Sequence, residues 1–140
     1  MLMVKARAKP SLIHGVGLFA EERIPRGTVI WKFDPAWDLR FTAEEVERLP
    51  EHQRSLIKHF AYFSERLRAW VYSIDDSRFI NHSPEPNQEA VQIVGEPEFC
   101  NVANRDMEVG EELTEDYRAS DAMLSTGADG SIICDCGCKF

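Results

Sequence analysis

Three short stretches of this chain carry residue types that do chemistry. The first is RFINHSPEPN, residues 78–87, where Asn81, His82 and Ser83 follow the apolar pair Phe79-Ile80. Polar side chains set against apolar neighbours need hydrogen-bond partners when buried, or they cost about 1–3 kcal/mol each. His82 as a catalytic base would need a nucleophile in a companion motif, and none is recognisable. A metal centre would need ligands in register, and His14, His52, His59 and His82 have no such spacing. Asn81 both donates and accepts, and Arg78 offers a fork for a carboxylate, so the pair suits a polar cofactor better than bond breaking. The second stretch, HGVGLFA, holds Gly15 and Gly17 on either side of Val16. It reads as bare backbone that a ligand can approach closely, or as a tight turn between strands, the commoner meaning of an isolated pair of glycines. The third, GEELTEDYRA (110–119), is an acidic turn and strand interrupted by Leu113 and Tyr117. A tyrosine there can enter a core and keep its hydroxyl for work.

The elements that must position these residues read mostly as sheet. VKARA (4–8), GLFAEE (17–22) and TVIWKF (28–33) are short extended segments, the last with Val29, Trp31 and Phe33 at period two. Ile24-Pro25-Arg26-Gly27 and Glu108-Val109-Gly110-Glu111 are turns. Thr42 followed by Glu45 predicts a capping box opening a short helix that stops before Pro50. Leu56, Ile57, Phe60, Phe63 and Leu67 fall at helical spacing, which predicts an amphipathic helix over 51–68 with Tyr62 and Phe63 as packing residues. Strands return at WVYSID (70–75), AVQIV (90–94) and FCNVANR (99–105), and Ala119 to Ser131 is small, polar and loop-like. The pattern gives a mostly β domain over 1–118 with a helical insertion at about 40–68, then a short cysteine-containing tail over 119–140. It excludes an alternating βαβ nucleotide-binding architecture.

Composition bounds the partners. The net charge of -8 argues against direct nucleic-acid binding, which calls for a basic face, and is compatible with a cationic partner as well as with plain solubility. No apolar run approaches the roughly 18 residues that cross a bilayer, so no membrane partner is expected. The N-terminal residues lack the apolar stretch of a secretory signal, and an intracellular place, cytoplasmic or nuclear, is the expectation. Cys134, Cys136 and Cys138 stand too close together to bridge one another, which suits free or metal-held thiols in a reducing compartment.

In order along the chain, Gly15-Val16-Gly17, Arg78-Phe79-Ile80-Asn81-His82-Ser83 with Pro86-Asn87, Gly110-Glu111-Glu112-Leu113-Thr114 with Asp116-Tyr117, and CDCGC resemble the SET-domain protein lysine methyltransferases. The resemblance covers about residues 4–138. It implies the β-clip, or SET, fold: small curved β-sheets with a C-terminal pseudoknot that brings the NHS and ELTEDY segments together. It implies S-adenosylmethionine (SAM) as cofactor, bound by Asn81, His82, Arg78 and the backbone of Gly15, Val16, Gly17 and Leu18. It implies methyl transfer to a lysine of a protein substrate presenting a basic segment, histone-like or other. Tyr117 is the implied catalytic residue, orienting the amine, with Phe33, Phe79 and Glu115 lining the lysine channel. The 40–68 stretch matches the variable insertion that shapes the substrate groove. A homodimer that builds this groove by pairing is compatible with so small a domain.

Four departures matter. Glu115 stands where the family usually has an aromatic residue, so it either holds the substrate ammonium or points to solvent. Phe33 occupies a site often given to tyrosine. Pro84 replaces a cysteine that supplies zinc in many relatives. The tail leaves three thiolates, Cys134, Cys136 and Cys138, where tetrahedral zinc takes four ligands, unless Cys100 or a partner chain completes the set. The expectation is therefore no zinc, with Ile132 to Phe140 packing over the cofactor or groove and Phe140 as a lid. A SET-derived binding or scaffold module without catalysis is the competing reading.

Overall fold

The computed structural model describes residues 1–120 and, beyond them, only the backbone pair 125–126 and 132–133. Its strands are β1 (Ala6–Pro10), β2 (Val16–Ala20), β3 (Val29–Trp31), β4 (Asp38–Phe41), β5 (Tyr62–Ser64), β6 (Ala69–Ser73), β7 (Asn81–His82), β8 (Gln88–Val91), β9 (Cys100–Ala103), β10 (Glu112–Glu115), β11 (Ser125–Thr126) and β12 (Ile132–Ile133). Helices α1 (Ala43–Glu47) and α2 (Glu51–Phe60) lie between β4 and β5, and a short turn of helix, α3 (Tyr117–Ser120), follows β10. Small sheets run in the orders β1-β2-β10-β7, β3-β9-β8 and β4-β6-β5. This is the mostly β architecture that the sequence predicts: β1, β2, β3, β6, β8, β9 and β10 fall within a few residues of expected strands, whereas β4, β5 and β7 are not expected from the pattern. Among the described residues no helix is long and apolar enough to cross a membrane. Cys134, Cys136, Cys138 and Phe140 lie outside the described residues.

The first core joins the opening hairpin to the late strand. Leu18, Ile24, Ile30, Met107 and Leu113 are fully buried together, with Ile80 against them. β10 lies antiparallel to β2, Leu113 opposite Leu18, and parallel to β7, Thr114 opposite Asn81 and Glu115 opposite His82. A strand late in the sequence is thus inserted between an early hairpin and a mid-chain segment. Asn87 makes this insertion possible. Its side-chain carbonyl accepts from Thr114 N at 2.9 Å and its amide donates to Glu112 O at 2.7 Å, so one buried side chain stands in for a neighbouring strand.

The capping box forms as expected: Glu45 N donates to Thr42 Oγ1 at 3.1 Å and Thr42 N donates to Glu45 Oε2 at 2.7 Å. The helix predicted over 51–68 does not run its length; it ends at Phe60, and Ala61 is extended (φ -109°, ψ 154°). A hairpin of β5 and β6 replaces its second half, with Phe63 opposite Trp70. The reason lies in two aromatics that belong to different cores. Tyr62 meets Trp31 edge-on at 6.0 Å, and Phe63 meets Trp70 edge-on at 5.6 Å. A strand sends adjacent side chains to opposite faces, which serves both contacts; a helix would set them only about 100° apart. Ser64 Oγ accepts from Leu67 N at 3.0 Å, and Arg68 takes the left-handed conformation (φ 52°) that turns the chain back.

The two glycines of the opening hairpin do different work. Gly15 has φ +45° and makes the turn. Gly17 sits inside β2, where a Cβ would lie 2.1 Å from Glu112 Oε1 and 3.0 Å from Ser11 Cβ. The space it leaves is filled by the Glu112 carboxylate, which accepts from Ser11 Oγ at 2.8 and 2.9 Å and from Asn81 Nδ2 at 2.8 Å. We predict that Gly17→Ala costs about 1.5–3 kcal/mol, because it drives a carboxylate off two hydrogen-bond donors. In a Glu112→Ala background the same substitution should cost under about 1 kcal/mol, because the clash is gone; a double-mutant cycle by chemical denaturation measures the difference. Equal costs in both backgrounds would refute this account.

Candidate active site

The two polar segments converge. β7 carries Asn81 and His82 alongside β10, and Ser83 N donates to Glu115 O at 3.0 Å, extending the pairing by one step. Most of the Asn81-His82-Ser83 cluster satisfies the protein itself. Asn81 is buried, and its Nδ2 lies 3.1 and 3.2 Å from the carbonyls of His14 and Val16, fixing the glycine turn against β7. Leu18 is fully buried, between Ala8 of β1 and Leu113 of β10. Val16 is exposed on the same strand.

Tyr117 closes the junction. Its backbone N–H donates to His82 Nδ1 at 3.3 Å, its hydroxyl donates to Ile80 O at 2.6 Å, and its ring lies 5.5 Å from the imidazole. Burial pushes the phenol pKa well above its ordinary value, and the Glu115 and Glu112 carboxylates push it further, so the group stays a neutral O–H donor. Burial also lowers the pKa of His82, against an opposing pull from Asp116, while Arg118 adds to the lowering. An Nδ1 that accepts from Tyr117 N belongs to a neutral imidazole. Asp116 Oδ1 stands 3.7 Å from that nitrogen, beyond hydrogen-bond range, and its own carboxylate is held below its usual range first by Arg118.

A cavity of about 630 Å³ opens beside the tyrosine, lined by Tyr117, Glu115 and Arg78 of the predicted set, with Trp31, Tyr62 and Phe99 as aromatic walls. Asn101 Nδ2 donates to Glu115 Oε2 at 2.8 Å, and both residues line this space. Phe33 and Phe79 do not line it. Phe33 is buried with Trp31 and Val71, under the Arg40 guanidinium at 5.8 Å. Phe79 packs edge-on against Phe60 at 5.9 Å, with the Arg78 guanidinium 4.8 Å from its ring centre. The family resemblance puts Phe33 on the wall, but Trp31, two residues earlier, takes it. Trp31 is held there by its indole N–H, which donates to Ser73 Oγ at 3.1 Å, while Ser73 Oγ donates to buried Asp38 at 2.9 Å. Asn101 carries no sequence signal, since it acts on Glu115, a residue on another strand.

The volume lies within the roughly 300–1,000 Å³ typical of small-molecule sites. Its donor set suits a zwitterionic, cationic molecule: an arginine fork for a carboxylate, a carboxylate and aromatic faces for positive charge. Among the described residues no group of three or more His, Cys, Asp or Glu side chains is placed to hold a metal ion.

Comparison with known proteins agrees with this arrangement. A SET-domain family profile matches residues 15–118, a span that holds the glycine turn, the NHS segment and Tyr117. A Chaetomium globosum histone-lysine N-methyltransferase, H3 lysine-4 specific, is 30% identical over 96% of this chain and 13% of its own length. The trithorax histone-lysine N-methyltransferase of Drosophila virilis is 29% identical over 92% of this chain and 3% of its own. The chain therefore spans only a small part of the curated relatives it matches. A crystal structure of a Plasmodium falciparum protein, described as a histone methyltransferase, shares the fold with a TM-score of 0.56 and 21% identity, covering 83% of this chain and 95% of that one. The motifs in sequence order, the insertion of β10 beside β7 and the profile match across most of the chain lead to one conclusion: this chain belongs to the SET-domain family.

Proposed function

We propose that this chain is a protein-lysine methyltransferase that uses SAM and acts on a basic, lysine-bearing segment of another protein, a histone-like tail included. The observation that carries the reading is the Tyr117 hydroxyl, fixed at the wall of an aromatic-lined cavity where β7 and β10 meet. Bound SAM supplies a methyl group on a positively charged sulfur, open to in-line attack by an amine. Arg78 would pair with its carboxylate, and His82, Asn81 and the backbone from Gly15 to Leu18 would form the remaining contacts.

The residues of this chain have three tasks. They hold the amine in line, and such alignment contributes about 7–11 kcal/mol in well-oriented reactions. Tyr117 directs the amine with its phenol oxygen, while the O–H stays on the Ile80 carbonyl. They also favour a neutral amine, whose ordinary pKa is about 10.4, by presenting Trp31, Tyr62 and Phe99 in place of water. Finally, the aromatic walls limit, without sealing off, the solvent at the reacting centre. The names of the relatives support a histone-like protein substrate, and with it a nuclear or cytoplasmic place.

Incubation with radiolabelled SAM and cell extract, followed by identification of the labelled protein and residue, tests the activity; label on lysine is expected, and no labelled protein would count against it. On that substrate Tyr117→Phe should lower turnover at least tenfold while SAM affinity, by calorimetry, stays within about threefold, because a single positioning contact of the transition state is lost. Unchanged turnover would remove Tyr117 from the mechanism.

The state of His82 gives a pH prediction. Its folded pKa lies below the ordinary 6.5, so the unfolded chain takes up a proton first as pH falls. The stability it contributes is complete above about pH 6.5 and is lost as pH falls through the lowered folded value. The Tm should drop between pH 7.5 and 5, and His82→Asn should flatten that drop. His59, lowered by burial and by His14, contributes to the remaining slope, as do the carboxylates of Glu111 and Asp116 near its acid end. Identical slopes in the two proteins would show that His82 does not titrate as described.

A further inference from the structure

Resting on the methyltransferase reading, we infer that Glu115, aimed by Asn101, is the receptor for the substrate's amine in its cationic form, and sets the site's preference for a charged side chain. Glu115 is the last residue of β10, two positions before Tyr117, and it lines the same cavity. β9 supplies the residue that orients it: Asn101 Nδ2 donates to Glu115 Oε2 at 2.8 Å. Asn101 is paired with Ala90 of β8, which also lines the cavity, so this sheet face forms one wall and carries the donor. Glu115 therefore does not point to bulk solvent. It faces the space that Tyr117 faces, and its charge is felt by the phenol, whose pKa it raises.

A carboxylate offers about four acceptor positions over its two oxygens, so the bond from Asn101 that orients Glu115 uses one of several. The same cavity is lined by Trp31, Tyr62 and Phe99, whose rings take the place of water. Carboxylate and rings act on different forms of an amine. The rings exclude water and penalise the charge, whereas the carboxylate rewards it, by a charge-assisted hydrogen bond in a site of low dielectric. The cavity thus captures the amine as ammonium at Glu115, and the proton leaves only afterwards, to solvent, before attack. Asn101 acts as a positioning residue; Glu115 touches the substrate.

The test measures binding, independently of methyl transfer. Two probes are titrated into the isotope-labelled protein at pH 7 and followed by NMR: N-acetyl-lysine methylamide and its neutral norleucine counterpart. The wild type should bind the cation at least tenfold more tightly than the isostere. Glu115→Gln, which keeps shape and the contact to Asn101, should abolish this preference. Asn101→Ala should reduce it severalfold with norleucine binding unchanged, a ratio that a merely structural role for Asn101 would not move. If Asn101→Ala fails to fold, Asn101→Ser carries the same arm, and Glu115→Gln decides the proposal alone. No preference in the wild type, or one that survives Glu115→Gln, overturns the inference. Should the preference appear while no protein is labelled from SAM, the assignment of Glu115 stands and the proposed activity falls.

Discussion

The structure depends on holding β10 between β2 and β7. The short parallel ladder of β7 and β10 gives few backbone bonds, and β7 is only two residues long. Side chains complete what the ladder leaves open. Asn87 pairs with both the carbonyl of Glu112 and the amide of Thr114, and Asn81 ties the glycine turn and the Glu112 carboxylate to β7. These amides are buried, so each bond lost would leave a polar group dry, at about 1–3 kcal/mol. The requirement that every one be satisfied allows one register of the three segments. That register places Tyr117 against His82 and Ile80.

Electrostatics follow from the same packing. The tyrosine and histidine at the junction are neutral for one shared cause, burial, and neutrality lets each serve as an oriented hydrogen-bond group. Formal charge is distributed differently. The chain carries a net charge of -8, yet the cavity wall holds Lys58, Arg66, Arg78 and Arg118 as well as Glu65, Glu98 and Glu115. Several of these cations are engaged in place: Lys58 with Glu47, Arg118 with Asp116, and Arg66 over the Phe99 ring. Attraction of a cationic partner by the acidic surface and recognition inside the cavity are therefore separate effects. The first is long-range and weakened by salt; the second is local and rests on individual groups.

The insertion between β4 and β6 shows how far local pattern reaches. The capping box at Thr42 forms because its partners are three residues apart and need nothing else from the fold. The end of α2 is different. Phe60, Phe63 and Leu67 have helical spacing, but Tyr62 and Phe63 are claimed by Trp31 and Trp70, which come from β3 and β6. Propensity gives way to packing there, and the resulting hairpin supplies a wall of the cavity.

By itself the sequence determined the mostly β class, most of the strands and the capping box, because these rest on residue type and near neighbours, and its ordered motifs carried the family resemblance. Which side chain faces which was settled only in three dimensions. Trp31 rather than Phe33 walls the cavity, while Phe33 is buried against Val71. Gly17 is bare to admit Glu112, nearly a hundred positions away. Asn101 meets Glu115 because β9 and β10 are brought to one cavity wall. Such contacts have no local signature: a hydrogen bond between distant residues depends on the path of the whole chain, and only the satisfied, packed structure fixes that path.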